Sequence, residues 1–142
     1  EPDGIPTQAQ LDAVFDAIEL DEAGLASRRP ANAKINTLPI FRTVFDVTVN
    51  GLDVDDQAGV QAQVDAAIAD FLAGREPFIV GLSVPPRQDR ITSSSIGSIV
   101  EQIVADANGV VGTVDVFTGG NPVTLYVLDI GEFAKLGAVS YV

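Results

Sequence analysis

The sequence of 142 residues contains no cysteine, histidine, methionine or tryptophan. Without cysteine the chain forms no disulfide and has no thiolate chemistry. Without histidine it lacks the commonest general base and the commonest zinc ligand. The two absences together exclude catalysis by a serine or cysteine nucleophile that a histidine activates.

Long apolar runs are also missing. No run approaches the roughly 18 residues that a bilayer-spanning helix needs. The N-terminus lacks the basic stretch followed by an apolar stretch that marks a signal peptide. The sequence begins Glu1-Pro2-Asp3-Gly4 without an initiating methionine. We therefore expect this chain to be a piece of a longer protein and to work as part of an assembly.

Positive charge is scarce, since 8 basic residues stand against 20 acidic ones and give a net charge of −12. A field of this sign repels phosphate backbones, so we expect no nucleic-acid partner. The acidic residues are scattered, which is typical of a solvated surface. Adaptation to high salt is an alternative that the composition leaves open. The 46% of hydrophobic residues, spread along the chain, predicts a folded core.

Three segments have helical periodicity. In the first, Thr7 and Gln10 form a capping-box pattern ahead of a helix over 8–19. In the second, Asp55 or Asp56 caps a helix that continues to about residue 73. In the third, a Thr-Ser-Ser-Ser run caps a helix that ends before Asn108. The predicted apolar faces are Leu11, Val14, Phe15 and Ile18; Val60, Val64, Ile68 and Phe71; and Ile96, Ile99, Val100 and Ile103.

Alternating and β-branched segments predict strands over 33–38, 41–49, 110–117, 123–128 and 138–142, with a further short strand over 78–82. The strands cluster at the two ends, and two helices lie between them. This order predicts an α+β fold: a mainly antiparallel sheet covered on one face by two helices, with an additional N-terminal helix. We expect residues 1–38 to form that helix and a connecting arm from a preceding domain, and 39–142 to form the C-terminal α+β domain.

No catalytic, cofactor or metal pattern emerges from the motifs. Ser93, Ser94 and Ser95 are typical of helix caps, and no nucleophile elbow, phosphate loop or dinucleotide fingerprint occurs. The Asp53-Val54-Asp55-Asp56 run has oxygen ligands for Ca²⁺ but lacks the EF-hand spacing, so it indicates a turn and a helix cap. A hydrolase that uses paired carboxylates remains a rival hypothesis, because any two of 20 acids can be neighbours.

Four arginines form two clusters in predicted loops. Arg28, Arg29, Arg87 and Arg90 make up half of the 8 basic residues. Because arginine is enriched at interface hot spots, they are our candidate partner-contact residues. Ordinary surface ion pairing in an acidic protein is the alternative interpretation.

These features occur in a particular order. Arg28-Arg29-Pro30-Ala31-Asn32-Ala33 precedes the alternating strand, and an Ala-rich helix extends from Val60 to Leu72. Asn108-Gly109-Val110 opens a later strand, and Gly131-Glu132-Phe133-Ala134-Lys135-Leu136-Gly137 leads to the last one. Over essentially the whole chain, this ordered set resembles the C-terminal region of the baseplate J-like family of contractile phage tails. The loop over 84–89 departs from the family's shorter, Gly-containing connection.

The resemblance implies a structural component of a contractile phage or phage-like tail baseplate that mediates wedge assembly. The implied partners are copies of the chain and neighbouring wedge or hub proteins, with no nucleic acid, membrane or cofactor. It implies no enzymatic activity, and a location in the virion tail baseplate and, during assembly, in the host cytoplasm. A receptor- or carbohydrate-binding tail module is the alternative, although the chain has no Trp and only Tyr126 and Tyr141 as tyrosines.

Overall fold

The structure is a computed structural model that describes residues 5–20, 23–24, 37–81 and 87–142. The chain divides into two compact units, residues 1–41 and residues 42–142. The division predicted from the sequence lies between residues 38 and 39. In the described part of the chain, no helix is both long enough and apolar enough to cross a membrane.

The first unit contains helix α1, Gln8–Glu19, as the sequence predicts. The predicted capping box is present: Gln10 N–H donates to the Thr7 hydroxyl (3.3 Å), and Thr7 N–H donates to the Gln10 side-chain oxygen (2.8 Å). These two bonds satisfy backbone donors that a helix N-terminus leaves unpaired. The predicted apolar face is only partly covered, because Leu11 is buried while Val14 and Ile18 are 51% and 48% exposed.

The second unit combines two helices with strands that form two sheets. In chain order its elements are β1 (Phe41–Asn50), α2 (Gln57–Ala73), β2 (Arg90–Thr92), α3 (Ser93–Asp106), β3 (Thr113–Thr118), β4 (Asn121–Pro122), β5 (Leu125–Val127) and β6 (Glu132–Tyr141). Side chains that accept backbone N–H bonds begin both helices: Asp56 accepts from Gly59, and Thr92 accepts from Ser95.

The larger sheet has the order β4-β3-β1-β6. The β1–β3 and β3–β4 pairs are antiparallel, with Asp46 of β1 opposite Phe117 of β3. At the end of β6, Val142 N–H donates to Val49 O (2.9 Å) and Val142 O accepts from Gly51 N–H (2.8 Å). In parallel strands, the N–H and C=O groups of one residue bond to the two residues that flank its partner on the adjacent strand. Val142 bonds in this way to Val49 and Gly51, which flank Asn50. The sheet is therefore mixed but mainly antiparallel, and the predicted α+β class is confirmed.

The two helices cover one face of this sheet. α2 packs on β6, α3 packs on β3, and the helices contact each other. On β1 every second side chain from Phe45 to Val49 is buried, while the intervening ones are half-buried. Among the described residues, fifteen buried side chains form the core cluster: Phe45, Val47, Val49, Val60, Val64, Ile68, Leu72, Ile91, Ile96, Val100, Val104, Val116, Val123, Leu128 and Ala134.

Several core positions differ from the predicted ones. Leu72, not Phe71, completes the α2 stripe, because the buried positions repeat every four residues and Phe71 is only half-buried. On α3 the buried positions are Ile96, Gly97, Val100 and Val104, whereas the predicted Ile99 and Ile103 are half-buried. Phe41 shares the parity of the buried β1 residues but is 65% exposed at the start of the strand.

The last third of the chain pairs differently from the prediction. The segment 123–128 is not one strand, since only Leu125–Val127 form β5, which pairs with β2 in a separate two-stranded sheet. The strand predicted over 138–142 begins earlier, at Glu132 after the turn at Gly131 (φ +85°). Residues 78–81 are not a strand. The strand predicted over 33–38 lies mostly outside the described residues.

Gly137 lies against side chains of β1. A β-carbon added there would collide with the Asp46 carboxylate and would stand 2.6 Å from Val44 Cγ1. The neighbouring Ala138 N–H donates to Asp46 Oδ1 (2.8 Å). A side chain of β1 therefore occupies the place that a backbone carbonyl takes in a regular ladder.

We expect Val64→Asp to unfold the second unit. Val64 is fully buried, and placing an unpartnered carboxyl group there costs roughly 4 kcal/mol or more, a large share of a small domain's stability. Thermal unfolding followed by circular dichroism measures this effect. Ala62→Asp, at an exposed position of the same helix, is the matched control and should unfold near the wild-type temperature. A wild-type melting temperature for Val64→Asp would contradict the core assignment.

Candidate partner-contact site

The two-stranded sheet formed by β2 and β5 is a short antiparallel ribbon. Its register places Arg90 opposite Val127, Ile91 opposite Tyr126 and Thr92 opposite Leu125. Ile91 is fully buried. The Tyr126 ring meets Phe45 of β1 edge-on, with centroids 5.2 Å apart. Because side chains alternate along a strand, this inward pair directs Arg90, Leu125 and Val127 outward.

We call Arg90, Leu125 and Val127 the ribbon face. Leu125 is 55% exposed, Val127 is 46% exposed, and Arg90 is also exposed. Ile130, in the turn that follows β5, is 72% exposed. The arginine and Val127 are directly opposed across the ribbon. An arginine beside aliphatic side chains can extend an apolar contact through its methylene groups and can bind an acidic group through its guanidinium.

A polar cluster around Glu132 fixes the ribbon to the larger sheet. The Glu132 carboxylate accepts hydrogen bonds from Tyr126 Oη (2.5 Å), Asp129 N–H (2.8 Å) and the Thr43 hydroxyl. Burial by itself would raise the pKa of Glu132, but these three hydrogen bonds outweigh it and lower that pKa. The bond to Glu132 raises the pKa of Tyr126. The cluster thus joins β5, β6 and β1 and holds the ribbon against the larger sheet.

Arg87 is bonded within the chain, although its side chain is 38% exposed. Its guanidinium binds both oxygens of Asp89 (2.7 and 2.5 Å) and lies 4.2 Å above the centre of the Phe78 ring. The Asp89 side chain is 1% exposed. The hydrogen bond from Arg87 lowers the pKa of Asp89 below its ordinary value of 3.8, against the effect of burial. Asp89 O also accepts from Leu128 N–H (2.8 Å), which extends the pairing at the end of the ribbon.

The four candidate arginines therefore have different surroundings. Arg28 and Arg29 lie outside the described residues. Arg87 makes the intramolecular ion pair that was the alternative interpretation, and Arg90 lies on the exposed ribbon face. Sequence reasoning missed Leu125 and Val127. The signal that could have found them is that all four residues over 125–128 are hydrophobic or aromatic. Such a strand has apolar side chains on both faces, so either other elements pack on both faces or one apolar face is exposed.

A half-open cavity of about 140 Å³ lies elsewhere, between the start of α2 and the end of β6. Its lining residues are Leu52, Gln57, Gln61, Tyr141 and Val142. Beside it the Tyr141 hydroxyl donates to Asp65 Oδ1 (2.6 Å) and lies 3.1 Å from Gln61 O. Burial and the bond to Asp65 raise the pKa of Tyr141. The predicted cap by Asp56 is present, with its carboxylate 3.0 Å from Gly59 N.

Among the described residues, no three His, Cys, Asp or Glu side chains are grouped closely enough to hold a metal ion. In the same part of the chain, the carboxyl groups with a resolved pKa shift, Asp89 and Glu132, both have a lowered pKa. The general acid of a paired-carboxylate hydrolase needs a raised one.

Comparison with known proteins gave no match to a family model, to a curated protein or to a solved structure.

We expect the Arg87–Asp89 pair to make stability depend on pH in the acidic range. Because the folded state lowers the pKa of Asp89, its contribution is present above the ordinary value of 3.8 and is lost as pH falls through the lowered pKa. The urea midpoints of wild type and Asp89→Asn should differ most above about pH 5 and converge at lower pH. Asp106→Asn, at an exposed site on α3, controls for the removal of one charge. A difference that grows on acidification would contradict the expectation.

Proposed function

We propose that the chain is a structural component of a contractile phage or phage-like tail baseplate and mediates wedge assembly through protein–protein contacts. In this proposal it acts without a catalytic centre or cofactor, in the virion tail baseplate after assembly in the host cytoplasm. Its partners are copies of itself and neighbouring wedge or hub proteins. The ordered set of sequence features described above supports the family, and the ribbon face supports the contact role.

The ribbon face is the structural observation on which the contact role depends. Two of the three residues of β5, Leu125 and Val127, expose about half of their surface to solvent. Arginine is enriched at protein interfaces, where its planar guanidinium binds carboxylates with two hydrogen bonds. Since the Glu132 cluster already holds the ribbon in place, a partner would not have to order it on binding.

The alternative proposal, a receptor- or carbohydrate-binding tail module, has less structural support. Sugar-binding surfaces are expected to offer exposed aromatic rings. Tyr126 packs edge-on against Phe45 and is bonded to Glu132. Tyr141 is bonded to Asp65 beneath α2. The two tyrosines of the chain therefore make internal contacts, which leaves Phe41 as the exposed aromatic side chain of the described residues.

Immunogold electron microscopy of particles from the producing cells tests the proposal. With antibody raised against the chain, we expect label at one end of sheath-bearing tails. In the genome, we expect tail sheath and tube genes beside the gene that encodes the chain. Absence of the chain from purified tails would contradict the proposal. Binding of the purified chain to a glycan array, together with that absence, would favour the alternative.

We expect the double variant Arg90→Glu, Leu125→Asp to lose incorporation into tail particles while it keeps the wild-type melting temperature. Removal of a central arginine and its aliphatic neighbour typically costs about 2 kcal/mol or more, which is a loss of about thirtyfold or more in affinity. Quantitative mass spectrometry of purified particles measures incorporation. Arg42→Glu, a charge reversal at an exposed position of β1, is the control. Equal incorporation of both variants would show that the ribbon face is not a contact.

Arg28 and Arg29 are tested in the same assay. If they contact a partner, their joint reversal to Glu weakens assembly and leaves the melting temperature of the isolated chain unchanged. Unchanged assembly would contradict the contact role of this cluster.

A further inference from the structure

Strand β6 lies at one end of the four-stranded sheet, and its outer side is not paired with any strand of the described residues. Val142 N–H bonds to Val49 O of β1, and Ala138 N–H bonds to the Asp46 carboxylate of the same strand. Backbone groups of successive residues point alternately to the two sides of a strand. The N–H and C=O groups of Val139 and Tyr141 therefore point away from the sheet, where an added strand would pair.

The second half of β6 has few of the features that protect edge strands. β6 is ten residues long and contains no proline, and its charged residues, Glu132 and Lys135, lie in its first half. Its exposed residues near the outward groups are small: Gly137, Ala138 and Ser140. Natural proteins usually cover or interrupt an edge of this length with prolines, charges or bulges, because it is a template for pairing with another chain. The second half of β6 thus allows close approach of a backbone.

Helix α2 forms a polar wall beside the same half of β6. Gln57, Gln61 and Asp65 are spaced one turn apart on the helix, and the Tyr141 side chain reaches the last two of them. The cavity of about 140 Å³ opens between this wall and the end of β6. Strand-addition sites combine these parts, since backbone hydrogen bonds give affinity and a pocket for a side chain gives specificity.

The charge around the cavity indicates what kind of segment fits. Asp53 and Asp55 are exposed in the loop between Leu52 and Gln57, two residues that line the cavity. The chain as a whole carries −12, so two copies repel each other over the Debye length. A segment with Lys or Arg at this end matches the local charge, whereas a second copy does not.

We propose that the outer edge of β6 binds an extended, basic segment of a partner protein as a fifth strand of the sheet. The segment pairs with the outward backbone groups of Val139 and Tyr141 and places one side chain in the cavity. Its Lys or Arg residues lie near Asp53 and Asp55. This surface is distinct from the ribbon face, and the proposal stands independently of the baseplate assignment.

Two synthetic peptides test the proposal: acetyl-Ser-Val-Thr-Val-Gln-Val-Lys-Arg-amide and a twin that ends in Glu-Glu. Amide hydrogen exchange by NMR and fluorescence anisotropy measure binding to the full chain. We expect the basic peptide to slow exchange at Val139 and Tyr141 by about tenfold or more at saturation. The acidic twin should bind at least about tenfold more weakly, and 1 M salt should weaken the basic peptide.

Matched variants separate charge from backbone pairing. Asp53→Asn with Asp55→Asn should weaken the basic peptide severalfold, whereas Glu101→Gln with Asp106→Asn removes the same charge from exposed sites on α3 and should not. Val139→Pro removes one outward N–H donor, which edge strands tolerate, and should abolish binding. If Val139→Pro is unfolded by circular dichroism, the exchange data on the wild-type chain decide.

Three outcomes would overturn the proposal. The first is that neither peptide protects Val139 and Tyr141. The second is that both peptides bind equally well, in which case Asp53 and Asp55 do not select a basic segment. The third is that these amides are already protected in a dimer seen by analytical ultracentrifugation, in which case a second copy occupies the edge.

Discussion

The burial of one face of β1 is the constraint on which the second unit depends. Phe45, Val47 and Val49 are almost completely inaccessible to solvent. They belong to the same core cluster as the buried side chains of α2 and α3. The same strand pairs with β3 on one side and lies beside β6 on the other. Its residues also hold the small ribbon, through the contact of Phe45 with Tyr126 and the bond from Thr43 to Glu132. The sheets and helices of this unit therefore share a single core.

The helices and β1 could be predicted because their signals are local. Thr7, Asp56 and Thr92 each cap a helix from a position within three residues of the N–H group that they bind. The alternation along β1 likewise needs only ten residues to be recognised. Where two apolar side chains are adjacent, as at Phe71 and Leu72, local periodicity does not decide which one is buried. The packing of α2 against α3 and β6 decides it.

The strands β2, β5 and β6 depend on partners far away in the sequence. Arg90 pairs with Val127, 37 positions later along the numbering, so a three-residue strand such as β2 has almost no signal of its own. The candidate arginines show the same limit. Arg87 and Asp89 are two residues apart, a spacing that favours contact in extended chain, yet burial of Asp89 requires the ribbon to be in place. The exposure of Leu125 and Val127 follows from a pairing that no local pattern reveals.

The contact between Asp46 and Ala138 has a consequence for how β6 can move. A strand held by backbone bonds alone can slide by two residues and recover an equivalent ladder. Here a slide would bring residue 135 or residue 139, each with a β-carbon, to the place where a β-carbon clashes with the side chains of Asp46 and Val44. The carboxylate would also lose its donor, Ala138 N–H. Gly137 and Asp46 together thus favour one register of β6 against β1. A chain that pairs with the outer edge of β6 would therefore meet backbone groups at defined positions along the strand.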